Sequence, residues 1–179
     1  SDFIGKDVLN KALGMFIERF RYQSDPYTNI GEFVNTIRED TPDGLQYLLT
    51  DTFEKITLYE NKAKEASAVE NEDGTFTVTM KVEAKKVYPD SLGNQTNAKL
   101  NDWLEIGVLG ETLVNGDMEE IPIYLEKVLI TDSLTTFTVQ VDQKPIKAGI
   151  DPMHKFVDRD SDDNLVRVII EDGKNHNNI

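Results

Sequence analysis

The chain has 179 residues, with 33 acidic against 19 basic side chains, a net charge of −14 and no cysteine. That length suits one domain, or a small helical unit beside one β domain, and is enough to bury a core without covalent staples. A field of this sign repels phosphate backbones and anionic lipid, and the missing thiols exclude disulfides, thiolate metal sites, cysteine nucleophiles and redox switching. No apolar run reaches the ~20 residues of a membrane-spanning helix, and no basic-then-apolar leader opens the sequence. The opening "SDF" reads as a start partway through a longer protein. The lack of cysteine also fits an extracytoplasmic setting.

Val8, Leu9, Ala12, Leu13, Phe16, Ile17 and Phe20 recur at the i, i+3, i+4, i+7 spacing of one helical face, which predicts a helix over 8–20. "SDPYT" breaks it, and Thr28 followed by Glu32, Phe33, Val34 and Ile37 predicts a shorter second helix. A third is predicted from "TPDG", with Thr41 as N-cap, Pro42 at the first helical position, and Leu45, Leu48, Leu49 and Phe53 as its apolar face.

From Ile56 the period changes to two. Phe76, Val78, Met80, Val82 and Ala84 alternate with polar neighbours, the pattern of a half-buried strand. "EDG" at 72–74 is a hairpin turn signal, so Thr57 to Glu70 is the expected partner strand. "WLEIGVLG", "IPIYLEKVLI", "TTFTVQV" and "LVRVII" follow with turns between them and no helix. Strands in close succession imply an antiparallel sandwich rather than βαβ units. The expected fold is therefore α+β: about three helices over 1–56, a β-sandwich of about seven strands over 57–172, and a polar tail at 173–179.

The residues offer little catalytic chemistry. His154 and His176 belong to no H-E-x-x-H or other metal-ligand spacing; His154 reads as a half-buried loop residue and His176 as part of a solvated tail. No nucleophile elbow, P-loop or dinucleotide fingerprint is present. Trp103, at the head of an apolar strand, reads as core or interface filling, with a sugar-stacking platform as the alternative. Gly107 and Gly149, single glycines in strands, read as bulge markers.

One stretch stands out: "DPMHKFVDRDSDDN", Asp151 to Asn164. Asp158, Asp160 and Asp162 place carboxylates at alternate positions, as in calcium loops. Yet the sixth position of such a loop, which wants glycine, is Asp163, and the twelfth, which wants a bidentate glutamate, is Ile169. The preferred reading is a structural corner, in which Asp side chains bond nearby backbone N–H groups and Arg159 clamps a carboxylate or carbonyl. Asp158, Arg159 and Asp163 would then lock the last loop onto the sandwich before the final strand.

Three stretches carry a family resemblance. The segment from "GKDVLNKAL" through "PYTNIGEFV" and "DTFEKITLYENKA" resembles the helical end and exit strand of the catalytic domain in aminopeptidase N-like zinc metallopeptidases. "FTVTMKVEAKKVYPDSLGN" with "LNDWLEIGVLG" is similar to the β-sandwich that follows it. "AGIDPMHKFVDRDSDDN" resembles a terminal signature of bacterial members fused to an ABC-transporter permease, matched at Asp151, Pro152, Asp158, Arg159, Asp163 and Asn164. In that family the zinc ligands, the general-base glutamate and the oxyanion-stabilising tyrosine lie upstream of a segment like this one. The resemblance therefore implies a chain without catalytic, cofactor-binding or metal residues of its own, with zinc only in the upstream part of the parent.

It implies a scaffold and interaction region whose partner is the upstream catalytic-type domain, held outside the cytoplasm by a membrane-bound parent and not itself entering the membrane. Removed from that partner, Phe3, Ile4 and part of the first helix are expected to be partly exposed, or covered by self-association through the helical segment. A free-standing extracytoplasmic module binding carbohydrate or peptide is the alternative. An independent hydrolase using the acidic loop is weakest, because no base–nucleophile pairing is visible.

Overall fold

The computed structural model describes residues 2–114 and 116–171. The predicted polar tail, with His176, lies outside the described residues. The chain divides into two units, Ser1–Ile56 and Thr57–Ile179. The fold is α+β: helices lead, and eleven strands in three mostly antiparallel sheets follow among the described residues.

In the first unit, α1 spans Lys6–Phe20 and α2 spans Ile30–Asp40. Helix α2 starts on a reciprocal capping box: the Asn29 side chain accepts the Glu32 N–H at 3.2 Å, and the Glu32 carboxylate accepts the Asn29 N–H at 2.9 Å. Ala12 of α1 packs with Val34, Ile37 and Leu49, flanked by Leu9, Ile4 and Phe33. Phe16 meets Phe33 edge-on, with ring centroids 5.3 Å apart. Lys11–Asp40 at 2.7 Å and a two-pronged Arg19–Glu39 contact at 2.7 and 3.0 Å tie the two helices along their rim.

The predicted face of α1 is only partly used. Ala12 is buried, Phe3, Ile4 and Phe16 are half-buried, and Leu13 and Ile17 are 36% and 62% exposed. The third helix also differs from expectation: a 3-10 turn at Asp43–Leu45, a single α turn α3 at Gln46–Leu49 and a π turn at Thr50–Glu54. Thr41 does not cap it. Its hydroxyl donates to the Ile37 carbonyl at 2.8 Å, closing the end of α2, while its own carbonyl accepts from Gln46 Nε2 at 2.6 Å.

The strands of the second unit are β1 Leu58–Tyr59, β2 Lys62–Glu70, β3 Phe76–Glu83, β4 Lys86–Pro89, β5 Gln95–Asn97, β6 Asp102–Val114, β7 Asp117–Ile130, β8 Leu134–Val141, β9 Lys147–Ile150, β10 Leu165–Arg167 and β11 Ile169–Glu171. They form a sheet β11-β2-β3-β8, a sheet β10-β9-β6-β7 and a small sheet β1-β4-β5. The two larger sheets share one core. Ala66, Ala68, Phe76, Val78, Met80 and Val82 from the first pack with Leu104, Ile106, Val108, Ala148 and Ile150 from the second. Each large aliphatic side chain buried there contributes roughly 1.5–3 kcal/mol. The β2–β3 turn forms as predicted, with Gly74 at φ 83° and the Asp73 carboxylate accepting the Thr75 N–H at 3.0 Å.

Eleven strands replace the expected seven or so because short strands show too few residues to display alternation, and because "LVRVII" divides. Its first half, β10, pairs antiparallel with β9, and its second half, β11, pairs parallel with β2. Val168 sits at the crossing, its N–H bound to the Ile146 carbonyl at 2.9 Å. One run of chain thus serves both sheets.

Between the small sheet and β6 lies a buried ion pair, Lys86 Nζ to Asp102 Oδ1 at 2.8 Å, with side chains 3% and 1% exposed. The ammonium also lies 5.9 Å from the Tyr88 ring centroid. Taking two charges out of water is costly, and removing one partner is worse because the other is left buried and uncompensated. Lys86→Met or Asp102→Leu alone is expected to lower the urea-unfolding free energy by about 3–5 kcal/mol, and the double variant to recover most of that loss.

Candidate functional site in the last loop

The loop between β9 and β10 begins with two left-handed residues, Asp151 at φ 44° and His154 at φ 49°. Asp and His are among the side chains that best tolerate that region. Asp151 is fully buried. Its N–H donates to the Glu105 carbonyl at 2.6 Å, its carbonyl accepts the His154 N–H at 3.0 Å, and its carboxylate accepts the N–H groups of Lys155 and Phe156 at 2.9 and 3.1 Å. Lys155 Nζ reaches the buried carboxylate of Glu105 at 2.8 Å. His154 itself is exposed, not half-buried as its sequence context suggested.

Leu104, Ile106 and Val108 point into the core, so Gly107 faces out on the other side of β6. There it receives Pro152: a Cβ at residue 107 would stand 2.7 Å from the proline Cγ. Gly149, its cross-strand partner, receives Asn164 in the same way, with the Asn164 carbonyl oxygen 2.0 Å from where a Cβ would be. That carbonyl accepts the Ile150 N–H at 3.0 Å. These glycines are therefore not bulge markers. The irregularities fall at Ala63/Glu65 and Val108/Leu109, and the glycines are needed where the loop comes down onto the sheet.

The second half of the loop is tied to residues 59–62. Tyr59 donates its N–H to the Val157 carbonyl at 2.9 Å and accepts that of Arg159 at 3.1 Å. The Asp158 carboxylate takes the Asn61 N–H on one oxygen at 2.9 Å and the Asp160 N–H on the other at 3.2 Å. Lys62 meets Asp163 at 2.6 Å, and Glu60 meets Lys85 at 2.8 Å and Arg159 Nε at 3.4 Å. The Phe156 ring lies 4.8 Å from that of Tyr59. Asp151, Pro152, Asp158, Arg159, Asp163 and Asn164 thus all stand where the loop touches a strand.

A shallow cleft of about 210 Å³ remains among Asn61, Asp158, Asp160 and Asp163. The three alternate carboxylates do not converge on it as a calcium loop would require. Asp158 spends both oxygens on backbone N–H groups, Asp160 and Asp162 are exposed, and Ile169 lies in β11. No group of three His, Cys, Asp or Glu side chains placed to hold a metal occurs among the described residues. Asn61 and Asn164 are buried with no partner for their side-chain amides among the described residues, a cost of roughly 1–3 kcal/mol for each group so left. Neither these amides nor Tyr59 and Glu105 carried a signal in the sequence, since their contacts join segments up to 97 residues apart.

Trp103 is not a core residue. It is 37% exposed and stands opposite Leu129, itself 46% exposed, on the outward face of the β6–β7 pair. Comparison with protein-family profiles, curated proteins and solved structures finds no match to this chain.

Burial pushes the Asp151 carboxyl above the usual aspartate value of 3.8, outweighing the two backbone N–H bonds that pull it down. Asp73 and Asp90 move the other way, held down chiefly by hydrogen bonds from the Thr75 and Asn94 side chains. Asp151 therefore contributes stability that is full below its unfolded value and is lost as pH rises through its folded value. Asp73 and Asp90 contribute stability present above 3.8 and lost as pH falls through their folded values. Carboxyl NMR titration is expected to place the Asp151 midpoint above 3.8 and those of Asp73 and Asp90 below it.

Calcium is expected to leave the melting temperature unchanged. A chelator-reversible rise that disappears in Asp160→Ala would restore the calcium reading.

Proposed function

We propose that this chain is the non-catalytic C-terminal scaffold and interaction region of a membrane-bound, zinc-aminopeptidase-like protein, of the bacterial kind fused to an ABC-transporter permease and lying outside the cytoplasm. The reading begins from the sequence resemblance. The observation that supports it most is that charged groups of the signature are engaged within the loop or with residues 60–62: Asp151 on the N–H groups of Lys155 and Phe156, Asp158 on those of Asn61 and Asp160, Asp163 on Lys62, and Arg159 on Glu60. Side chains so engaged hold a shape and are poor acids, bases or nucleophiles.

On this proposal zinc belongs to the upstream part of the parent, and the upstream catalytic-type domain is the partner of the helical unit. Leu13 and Ile17 supply an apolar contact for it, or for a second copy in its absence. The alternative, a free-standing extracytoplasmic module that binds carbohydrate or peptide, draws support on the carbohydrate side from the half-exposed Trp103 beside Leu129.

The purified chain supplied with zinc is expected to show no turnover of aminoacyl-anilides, because zinc catalysis needs three protein ligands and an open position. Chelator-sensitive activity that survives repurification would refute the proposal. Saturable quenching of the single tryptophan by an oligosaccharide would favour the alternative.

A further inference from the structure

Most described cations of the sandwich unit have a carboxylate partner: Lys62 with Asp163, Lys64 with Glu83, Lys81 with Glu65, Lys85 with Glu60, Lys86 with Asp102, Lys147 with Glu120 and Lys155 with Glu105. Lys99 stands alone, and Lys144 and Arg167 likewise have no such partner among the described residues, although acidic side chains outnumber basic ones 33 to 19. Both line the same cleft, of about 320 Å³, together with Lys147, Ile146, Val168 and Ile170.

The geometry makes this more than a coincidence of two free charges. Arg167 stands directly opposite Lys147 in the β9–β10 pair, and like charges so placed repel. Ala148 and Ile150 point into the core, so Lys147 faces outward with Arg167 beside it. Glu120 neutralises Lys147 at 2.7 Å and leaves Arg167 unanswered. The cleft's apolar part comes from Ile146 and Val168, joined by a backbone bond at 2.9 Å, and from Ile170, which is 36% exposed. A cleft with unpaired cations above an apolar patch suits a ligand carrying an anion next to a hydrophobic group.

We propose that this cleft binds an extended acidic peptide segment, placing a carboxylate between Lys144 and Arg167 and the apolar side chain two residues along on Ile146, Val168 and Ile170. An extended chain advances about 3.3 Å per residue and puts residues i and i+2 on one face, so an acidic side chain and an apolar one two positions along reach both parts of one small cleft. A guanidinium suits this task, since its planar fork matches a carboxylate. A polyphosphate or nucleic acid needs several unpaired cations, and Glu111 and Glu120 in the same cleft leave too few for it, whereas a single carboxylate needs only Lys144 and Arg167. The inference stands independently of the zinc-peptidase reading.

The test uses the whole chain and a fluorescein-labelled, end-capped heptapeptide with Glu and Leu alternating at its odd positions and Ser at its even ones, so that both share a face, read by anisotropy. Saturable binding is expected, weakening as salt rises, with amide NMR shifts concentrated at residues 144–147 and 165–170. The Lys144→Glu/Arg167→Glu variant and a Gln-for-Glu peptide are each expected to bind at least roughly tenfold more weakly, the scale of one charge-assisted pair. Both side chains are exposed, so the variant should keep the wild-type melting curve, and Lys144→Gln/Arg167→Gln provides the same readout if charge reversal perturbs folding. No saturation at millimolar peptide, undiminished binding by the variants, equal binding of the Gln-for-Glu peptide, or equal binding of a labelled oligonucleotide would overturn the proposal.

Discussion

The sandwich depends on a backbone contact that only glycine permits. The Asn164 carbonyl oxygen stands 2.0 Å from the position of a side chain at residue 149, close enough to bond the Ile150 N–H and to bring β10 alongside β9. Once β10 is held there, the next residues cross at Val168 and pair with β2 in the facing sheet. A bulkier residue at 149 would lift the loop from β9 and with it residues 165–171, which pair with both large sheets.

The loop that ends at Asn164 is fastened from both sides, and the two fastenings differ in kind. Pro152 on Gly107 and Phe156 on Tyr59 are apolar contacts, which are insensitive to salt and pH. The carboxylates of Asp151 and Asp158 close backbone N–H groups, and the ion pairs of Lys62 and Arg159 sit at the rim, where water weakens them. Asp158, which heads a ligand-like spacing in one dimension, becomes a turn closure in three, while Asp160 and Asp162 stay exposed.

The charge balance follows the same logic. A chain with net charge −14 gives most of its described cations a carboxylate partner, from the exposed Lys11–Asp40 pair to the buried Lys86–Asp102 pair. Exposed pairs contribute little stability, while the buried one enforces which segments meet, because misplacing either partner strands a charge in the core. Against this background an unpaired lysine and arginine in one cleft mark a place where the surface is complementary to something other than itself.

Periodicity and turn chemistry carried much of the fold. The α1 spacing, the strict alternation of Phe76, Val78, Met80 and Val82, and the glycine-bearing turn at 72–74 follow from local side-chain and backbone preferences, so the sequence by itself determined a helical start, an antiparallel β-rich remainder and a division near residue 56. Asp158, Arg159 and Asp163 of the last loop were also legible as residue types suited to a corner. Their partners were not. Asn61, Lys62, Glu105, Gly107 and Tyr59 are ordinary residues until the chain returns to them, and Gly149 is constrained by an oxygen fifteen residues away. Only tertiary structure decided that Thr41 closes one helix instead of opening the next, that Trp103 faces out, and that "LVRVII" serves two sheets. Local patterns report which face of an element is apolar; which neighbour covers that face, and whether a carboxylate meets a backbone amide or an ion, depends on contacts between segments distant in sequence.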